Sequence, residues 1–425
     1  MAFSSTSLSR RKALGLGVAA AVAGSGLTLP ARRSFAQDTV TITWATWGGA
    51  AQAELYTQAI EAFHAAQSAI RVENVNTPDL NAHNQRTLTT AAGGNPSDIV
   101  MMPGELIAAY AAQGVFESVE SLAASDSSWS VDDYFENPIM AMTWNDQIWG
   151  LPKDFNTSAL YFNKGAFDDA GLAYPTGDWK WADLLSAAQT LTKRDGTRIE
   201  RYGWTDSGLS PWPWVWQNGA EVFDRFQEPT QVLLTDPAAV EAMTFYFDLS
   251  LKEKVAPSPA ELDQAGGRQE LFMAERVAML YDHRGATVPF KQITGFEWDM
   301  VEMASQVQRA GNLNFAGYCV SAGSKQKEAA WEFVKWLTGP DGVPIFIGGG
   351  NALPALKAAA ELPELAVQEP FRKAIDYSRP VIQTAKYTEI APIIQEELES
   401  VVTGSSTAEQ AAANLKERLE PIFNS

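Results

Sequence analysis

The alternation of strand and helix patterns at the start of the chain constrains the fold most strongly. Residues 39–44 alternate threonine with larger apolar residues, which is the period of a β-strand. Tyr56, Ile60 and Phe63 then recur at helical spacing, and residues 70–75 form a second strand pattern. A strand, a helix and a strand in succession indicate parallel pairing with the helix covering the sheet. The chain is therefore expected to have an α/β fold.

The same alternation continues along the rest of the sequence. The chain has 425 residues, which is too long for one ordinary core and predicts two lobes. Asp236 and Pro237 have the residue types of a helix N-cap and first turn. Further strands are predicted at 98–102 and 159–162, and further helices around 181–191, 236–247, 330–337 and 411–419.

The N-terminal residues have the pattern of an export signal. The basic residues 10–12 precede an uncharged stretch at 13–29, and Ser34-Phe35-Ala36 is a small-x-small cleavage site. Residues 1–36 are thus expected to be a signal peptide, cleaved after Ala36. The arginine pair resembles a twin-arginine signal, although Ala13 stands where such signals usually have phenylalanine, so the general secretory route stays open. No cysteine follows the cleavage site, so we expect no lipid anchor and a periplasmic or secreted protein.

Composition and motifs argue against several classes of function. The formal net charge of −19 disfavours binding to nucleic acid or to anionic lipid. The single cysteine, Cys319, lies in an apolar run and is expected to be buried. His64 and His83 are predicted on surface positions of helices, and the chain lacks HExxH, Walker and G-x-S-x-G motifs. No catalytic residue, metal site or cofactor is predicted, but a glycosidase pair of carboxylates has no local signature and stays open.

Three tryptophans within five residues distinguish one segment of the chain. Trp212, Trp214 and Trp216 alternate with Pro213 and Val215 in residues 210–219. The prolines predict loop or strand here, with at least one ring exposed. A sugar offers apolar C–H faces that stack on such a ring and a rim of hydroxyl groups that bind polar side chains. The alternative is that these tryptophans fill the core of a lobe.

Seven segments, taken in order, carry a family resemblance through nearly all of the chain after residue 36. Each segment alone is weak, but their order and spacing are specific. The chain resembles the extracellular solute-binding proteins of sugar-type ABC importers, the group that includes maltose-binding protein. The segments lie at residues 42–49 (Ile-Thr-Trp-Ala-Thr-Trp-Gly-Gly), 91–99, 149–154 (Trp-Gly-Leu-Pro-Lys-Asp), 160–164, 216–224, 276–279 and 329–337.

The resemblance implies a two-lobed periplasmic-binding-protein fold with a hinge of three crossing segments. The crossings would fall near residues 155–159, 300–303 and 337–341. The first lobe would then comprise 37–156 and 303–338, and the second 157–302 and 339–425. A small-molecule ligand would bind in the cleft of a monomer, without a cofactor, and be passed to the permease subunits.

The resemblance also implies the residues that contact the ligand. One loop departs from the family pattern, because many relatives have a glycine and an aromatic residue where this chain has Tyr281 to Gly285. Arg284 would grip hydroxyl groups or an anionic group, or else form a salt bridge with Asp282. The implied contacts are Trp47, Gly48, Glu105, Asp154, Trp212, Trp214, Trp216, Asn218, Tyr281, Asp282, His283, Arg284 and Asn351.

Three functional hypotheses follow from these observations. The first is the substrate-binding receptor of an ABC importer for a sugar or oligosaccharide, which closes around its ligand. The second is a receptor of the same fold for a polyol, a sugar phosphate or another anionic solute, suggested by His283 and Arg284. The third is a secreted carbohydrate-active enzyme.

Overall fold

A computed structural model describes residues 39–206, 210–348, 350, 352–362 and 367–425. The expected signal peptide, residues 1–36, and the candidate Asn351 lie outside the described residues. Within the described ranges, no helix combines the length and apolar character needed to cross a membrane.

Short strands and helices alternate along the chain. The strands are β1 (Val40–Trp47), β2 (Ile70–Thr77), β3 (Ile99–Pro103), β4 (Thr143–Trp144), β5 (Gln147–Ile148), β6 (Leu151–Asn156), β7 (Ser158–Asn163), β8 (Lys193–Asp195), β9 (Arg198–Thr205), β10 (Val277–His283), β11 (Trp298–Val301), β12 (Gly311–Asn312), β13 (Asn314–Val320) and β14 (Ser378–Arg379). The helices are α1 (Ala50–Ala66), α2 (Leu80–Ala92), α3 (Ile107–Ala112), α4 (Val119–Ala123), α5 (Glu136–Met142), α6 (Lys164–Ala170), α7 (Trp181–Leu191), α8 (Trp212–Gln217), α9 (Pro237–Leu251), α10 (Pro259–Ala265), α11 (Arg268–Met273), α12 (Thr287–Phe290), α13 (Lys327–Thr338), α14 (Val343–Ile347), α15 (Lys357–Ala360), α16 (Glu369–Ala374), α17 (Tyr387–Val402) and α18 (Ala408–Phe423).

The first lobe is built on a five-stranded sheet in the order β2-β1-β3-β13-β6. Strand β1 pairs in parallel with both β2 and β3, as the opening pattern of the sequence predicts. Strand β13 returns antiparallel between β3 and β6. The core beside this sheet centres on Trp44, whose ring meets Tyr56 of α1 edge-on at 5.1 Å and Phe333 of α13 at 5.4 Å. Helices α1 and α13 therefore anchor the sheet through aromatic contacts.

The second lobe is built on another five-stranded sheet, in the order β11-β7-β10-β9-β8. Strand β10 runs antiparallel to β7 and parallel to β9. Helices α7, α8, α9, α17 and α18 contribute buried residues to its core, among them Trp181, Trp214, Phe247, Leu398 and Leu415. Two sheet-containing lobes confirm the predicted two-lobed α/β fold.

One connection between the two sheets is very short. Strand β6 of the first sheet ends at Asn156 and β7 of the second begins at Ser158. The second crossing lies later than expected, because Ser305 N donates to Trp179 O at 2.9 Å and Val307 N to Gln217 O at 2.9 Å. These bonds hold residues 303–310 with the second lobe.

The third crossing also differs from the expected position. Helix α13 ends at Thr338, and α14 then packs on α1, with the Phe346 and Tyr56 rings 6.2 Å apart. Leu353 N donates to Phe155 O at 2.8 Å. Helix α16 is the first later helix to pack on β7 of the second sheet. The described residues between 339 and 356 therefore lie with the first lobe, contrary to the boundary at 339.

Two buried groups test the expectations about reactive side chains. Cys319 is buried as predicted, and desolvation raises the pKa of its thiol. His83 is 1% exposed, so its predicted surface position is wrong. Its Nε2 lies 2.8 Å from Met101 O, and burial lowers its pKa. The hydrogen bond to the backbone and the packing beside the sheet explain why His83 is buried.

Candidate functional site

The two sheets turn equivalent edges toward the crossings. In the first lobe the carboxyl ends of β1, β3 and β6 meet the start of β13 at one edge. In the second lobe β10 ends at His283, which lies opposite Ser158 at the first crossing, and β9 ends beside it. Ligands of open α/β sheets bind outside the carboxyl ends of the strands. These two edges are thus the expected walls of a binding cleft.

A cavity of ≈ 320 Å³ lies between the lobes. Its volume is within the range of about 300–1,000 Å³ that is typical of small-molecule sites. The first lobe contributes Glu105, and the second contributes Trp212 and one face of α17. The lining residues are Glu105, Ser210, Trp212, Asn312, Leu313, Asn314, Phe315, Pro380, Val381, Ile382, Tyr387, Ala391, Ile394, Gln395 and Leu398.

Glu105 is the acidic group of this cavity. It lies in the 3-10 turn that follows β3, next to Gly104. A Cβ at position 104 would lie 1.6 Å from the Phe315 ring, so only glycine allows that ring to cover the turn. Burial raises the pKa of Glu105. No ion pair joins its carboxylate to a cation among the described residues.

Two further polar groups face the same space. Burial, together with the nearby Glu105 carboxylate, raises the pKa of Tyr387, so its hydroxyl stays neutral and can donate a hydrogen bond. Asn312 Nδ2 donates to Ser210 Oγ at 2.8 Å. Asn312 Oδ1 is buried and has no hydrogen-bond partner within the described part of the chain. Buried polar atoms are normally paired, so this oxygen is suited to accept from a ligand.

The tryptophan segment is a helix, so the prediction of loop or strand is wrong. Pro211 precedes α8 and Pro213 lies in its first turn, where the missing N–H of proline costs nothing. The prediction of an exposed ring is also wrong, because Trp212, Trp214 and Trp216 are 7%, 1% and 2% exposed.

The three rings nevertheless have different surroundings. Residues two apart lie on opposite sides of a helix, whereas residues four apart share a side. Trp214 points into the core, where its ring meets Trp204 at 5.9 Å. Trp216 lies under the Arg379 guanidinium at 4.5 Å. Of the three, only Trp212 lines the cavity.

The loop after β10 is held by neighbouring elements of the protein. Arg284 is 4% exposed, and its Nη1 donates to Ala352 O while Nε donates to Gln368 Oε1 at 3.2 Å. Asp282 accepts from Arg268 Nη2 at 2.9 Å. Of the two alternatives for Arg284, the salt bridge with Asp282 is therefore wrong, because each side chain has other partners.

The flanking residues of that loop have structural partners too. Tyr281 is 8% exposed, and its ring stacks against Trp204 at 6.5 Å. His283 Nδ1 accepts from Gly285 N at 3.0 Å, which fixes the turn after β10. Asn218, the remaining candidate of the second lobe, donates through Nδ2 to Ala238 O at 2.8 Å. Asn218 is thus turned toward α9.

The remaining first-lobe candidates lie at the cleft-facing edge but outside the lining of the cavity. The half-buried Trp47 ring lies 5.2 Å from His83. Gly48 has a φ of 139°, a conformation that favours glycine. Asp154 is 8% exposed and pairs with its neighbour Lys153.

Comparison with known proteins decides the family. The family model described as bacterial extracellular solute-binding protein matches residues 47–344. The chain belongs to this family. Among solved structures it is similar to an ABC substrate-binding protein of Listeria monocytogenes in complex with cycloalternan, with 25% identity, a TM-score of 0.82, and coverage of 91% of this chain and 100% of that chain.

Two other similarities agree with this assignment. The maltose-bound MalE3 of T. maritima is 22% identical, with a TM-score of 0.78 and coverage of 90% of this chain and 100% of that chain. A galactooligosaccharide-binding protein of Bacillus subtilis is 20% identical over 359 residues, which cover 80% of each chain. The family consists of extracellular binding proteins, so this solute-binding protein acts outside the cytoplasm.

Sequence reasoning missed most of the lining of the cavity in this solute-binding protein. Asn312 and Phe315 flank the second crossing, and Tyr387 and Gln395 lie on α17. They are separated by some seventy residues or more, and no local motif marks them. Only the unpaired polar atom of Asn312 and the glycine beneath Phe315 reveal their role, and both need the folded structure.

Proposed function

We propose that this solute-binding protein is the receptor of an ABC importer for a neutral sugar or oligosaccharide. The observation that carries the proposal is a cavity between the lobes with aromatic walls and hydrogen-bond acceptors. The relatives support it, since one binds cycloalternan and another is a galactooligosaccharide-binding protein. The receptor would deliver its ligand to the permease subunits of the importer.

The groups that line the cavity match the two faces of a sugar. Trp212 and Phe315 offer aromatic surface to the C–H face of a ring. The Glu105 carboxylate and Asn312 Oδ1 accept from hydroxyl groups, and the Tyr387 hydroxyl donates to a ring or glycosidic oxygen. A polyhydroxyl ligand would therefore satisfy Asn312 Oδ1, which is buried without a partner among the described residues.

An anionic ligand is disfavoured by the charges of the cavity. Among the described residues that line it, none is lysine or arginine, and the one charged group is the Glu105 carboxylate. Arg284, which suggested an anionic solute, is buried and bonded to Ala352 and Gln368. Placing a phosphate beside an uncompensated carboxylate costs free energy. A neutral polyol remains compatible with the same groups.

Binding without turnover also fits the described lining better than glycoside hydrolysis. Most glycosidases need two carboxyl groups on opposite sides of the scissile bond. Among the described lining residues only Glu105 carries a carboxyl group. The two lobes instead provide different partners, with Glu105 from one and Trp212 from the other. A ligand that contacts both favours the closed arrangement through contacts that the open one lacks.

Export would precede this function. We infer that residues 1–36 direct export by the twin-arginine route and are cleaved after Ala36, which leaves a monomer in the periplasm or medium. The Arg10-Arg11 pair and the small residues before Gln37 support this inference. N-terminal sequencing of the exported protein is expected to start at Gln37. Export that persists after Arg10 and Arg11 are replaced by lysine would assign the general secretory route instead.

A thermal-shift screen tests the ligand class. Neutral mono- and oligosaccharides, polyols and sugar phosphates would be compared at equal concentration. A ligand at a hundredfold excess over its Kd stabilises the folded state by about 2.7 kcal/mol, which shifts Tm by a few degrees. We expect a shift with a neutral saccharide that is reduced by Glu105→Gln and retained by Glu61→Gln, an exposed residue of α1. A shift confined to sugar phosphates would contradict the proposal.

A further inference from the structure

The cavity between the lobes has an aliphatic wall to which the sugar contacts described above assign no role. This wall comes from two segments of the second lobe, the stretch before α17 and one face of α17 itself. Its members are Pro380, Val381, Ile382, Ala391, Ile394 and Leu398. Val381 and Ile394 are only half-buried, so they keep apolar surface open to the cavity.

The spacing of residues on α17 explains why the aliphatic wall is continuous. Ala391, Ile394 and Leu398 follow one another at intervals of three and four residues, which places them on one side of the helix. Tyr387, four residues before Ala391, begins the same stripe. At a helical rise of roughly 1.5 Å per residue, the stripe from Tyr387 to Leu398 is about 16 Å long. The aliphatic wall therefore extends along the cavity and away from Tyr387.

The two ends of this stripe have different surroundings. The charge of Glu105 contributes to the raised pKa of Tyr387, so these two polar groups are neighbours. Helix α17 also packs on the 3-10 turn that carries Glu105. At the opposite end of α17, Val402 lies near Leu249 of α9 in the second lobe. The aliphatic wall thus leads from the carboxylate of the first lobe toward the apolar core of the second.

A sugar without an apolar substituent would make poor use of the aliphatic wall. Hydroxyl groups lose hydrogen bonds to water when they are buried against side chains that offer no donor or acceptor. On this part of α17 the polar side chain that lines the cavity is Gln395, which is exposed and donates to Glu399 Oε1 at 2.6 Å. An alkyl or aryl group loses no hydrogen bond there and gains free energy by leaving water. The aliphatic wall therefore fits a part of the ligand that is not sugar.

We propose that the ligand is a neutral glycoside, whose sugar contacts Glu105 and Trp212 and whose alkyl or aryl aglycone lies against the aliphatic wall. This inference rests on the saccharide receptor proposed above and narrows its class of substrate. The aglycone, the non-sugar part of a glycoside, adds apolar contact that a hydroxyl group in the same place would not. The receptor would therefore select glycosides over the corresponding free sugars.

Calorimetric titration of the purified protein with matched glycosides tests this inference. The probes are the methyl, phenyl and octyl glycosides of glucose, galactose, mannose and maltose, each used below the concentration at which it forms micelles. For the sugar that binds best, we expect the phenyl or octyl glycoside to bind about tenfold more tightly than the methyl glycoside, because it buries more apolar surface. A larger gain with phenyl indicates a compact aromatic aglycone, and a larger gain with octyl indicates an alkyl chain.

Two variants of the aliphatic wall and one matched control locate the aglycone. Ile394→Thr and Val381→Thr each place a hydroxyl group in the wall, so the ratio of phenyl to methyl glycoside affinity should fall about threefold. Ile393→Thr is the control, because Ile393 is the adjacent half-buried residue of α17 and is not among the described residues that line the cavity. The control should keep the affinity ratio of the wild type.

The possible failures of this inference and of the receptor proposal are distinguishable. Equal affinities of the wild type for the methyl, phenyl and octyl glycosides would overturn the aglycone site and leave the sugar receptor standing. An affinity ratio that is unchanged in both Ile394→Thr and Val381→Thr would also overturn it. If no glycoside of the series binds, the methyl glycosides included, the result would contradict the receptor proposal together with this inference.

Discussion

Trp212 and Trp214 stand two residues apart on one short helix of the second lobe, yet their rings have different neighbours. Trp214 is enclosed by aromatic rings of the second-lobe core, whereas Trp212 forms part of the wall of the cavity. The residue type is the same and the sequence around each is similar. Helical geometry alone separates them, because a step of two residues turns a side chain to the opposite face. A cluster of tryptophans in a sequence thus predicts aromatic surface but not which ring a ligand meets.

The largest expected effect is the loss of stability when Trp214, the core residue of the pair, is replaced. Trp214→Ala should lower the free energy of unfolding by about 3–5 kcal/mol, since it removes a fully buried ring and leaves a cavity. Chemical denaturation of the variant measures this loss. Trp214→Phe is expected to recover a large part of it. A loss below about 1 kcal/mol for the alanine variant would show that Trp214 is not a core residue.

The next largest expected effect comes from replacing Gly104, which lies beneath Phe315 in the first-lobe wall of the cavity. Gly104→Ala places a methyl group against the ring and should cost about 1–3 kcal/mol through overpacking. The displaced ring would also weaken saccharide binding, which calorimetric titration measures. The control is Gly49→Ala, because an added Cβ at Gly49 meets no atom within 4 Å. Gly114→Ala is unsuitable, because the φ of 68° at Gly114 would add backbone strain.

The cavity side of the comparison predicts a change in binding. Trp212→Phe should lower the affinity for the saccharide identified by the thermal screen about tenfold, because the smaller ring offers less stacking surface. This loss corresponds to about 1.4 kcal/mol of binding free energy. Its effect on unfolding should be smaller than that of Trp214→Ala. Equal affinity for the Trp212→Phe variant and the wild type would remove Trp212 from the site and end the contrast between the two rings.

The smallest effect concerns pH. Burial raises the pKa of Glu105 above 4.5, so the folded protein binds this proton more readily than the unfolded chain. Stability therefore falls as pH rises from about 4.5 through the raised pKa of the folded state. Melting temperatures of the wild type and Glu105→Gln should diverge as pH rises, with the variant more stable near neutrality. A difference in Tm that does not vary with pH would contradict the buried position of this carboxylate.

Local patterns in the sequence predicted much of the fold. The opening strand, helix and strand and the start of α9 after Asp236 depend on residues close together in the chain. The prediction of loop or strand for residues 212–216 was wrong, because proline is also compatible with the first turn of a helix. The sequence pattern does not distinguish a proline in that position from one that interrupts a helix.

The candidate site was predicted less well, for a physical reason. Glu105 and Trp212 were named and line the cavity, but Asn312 and Tyr387 reach it only through the second crossing and α17. Arg284 looked available in the sequence, but its backbone partner lies 68 residues away and its side-chain partner 84 residues away. Contacts at that separation depend on how the lobes fold, which no local spacing encodes.

A crystal structure with the saccharide identified by the thermal screen tests the central claim most directly. We predict that the sugar lies in the cavity between the lobes, with hydroxyl groups on the Glu105 carboxylate and Asn312 Oδ1 and one ring face on Trp212. A saccharide bound away from these three residues, or a ligand held instead through an anionic group at Arg284, would contradict the account.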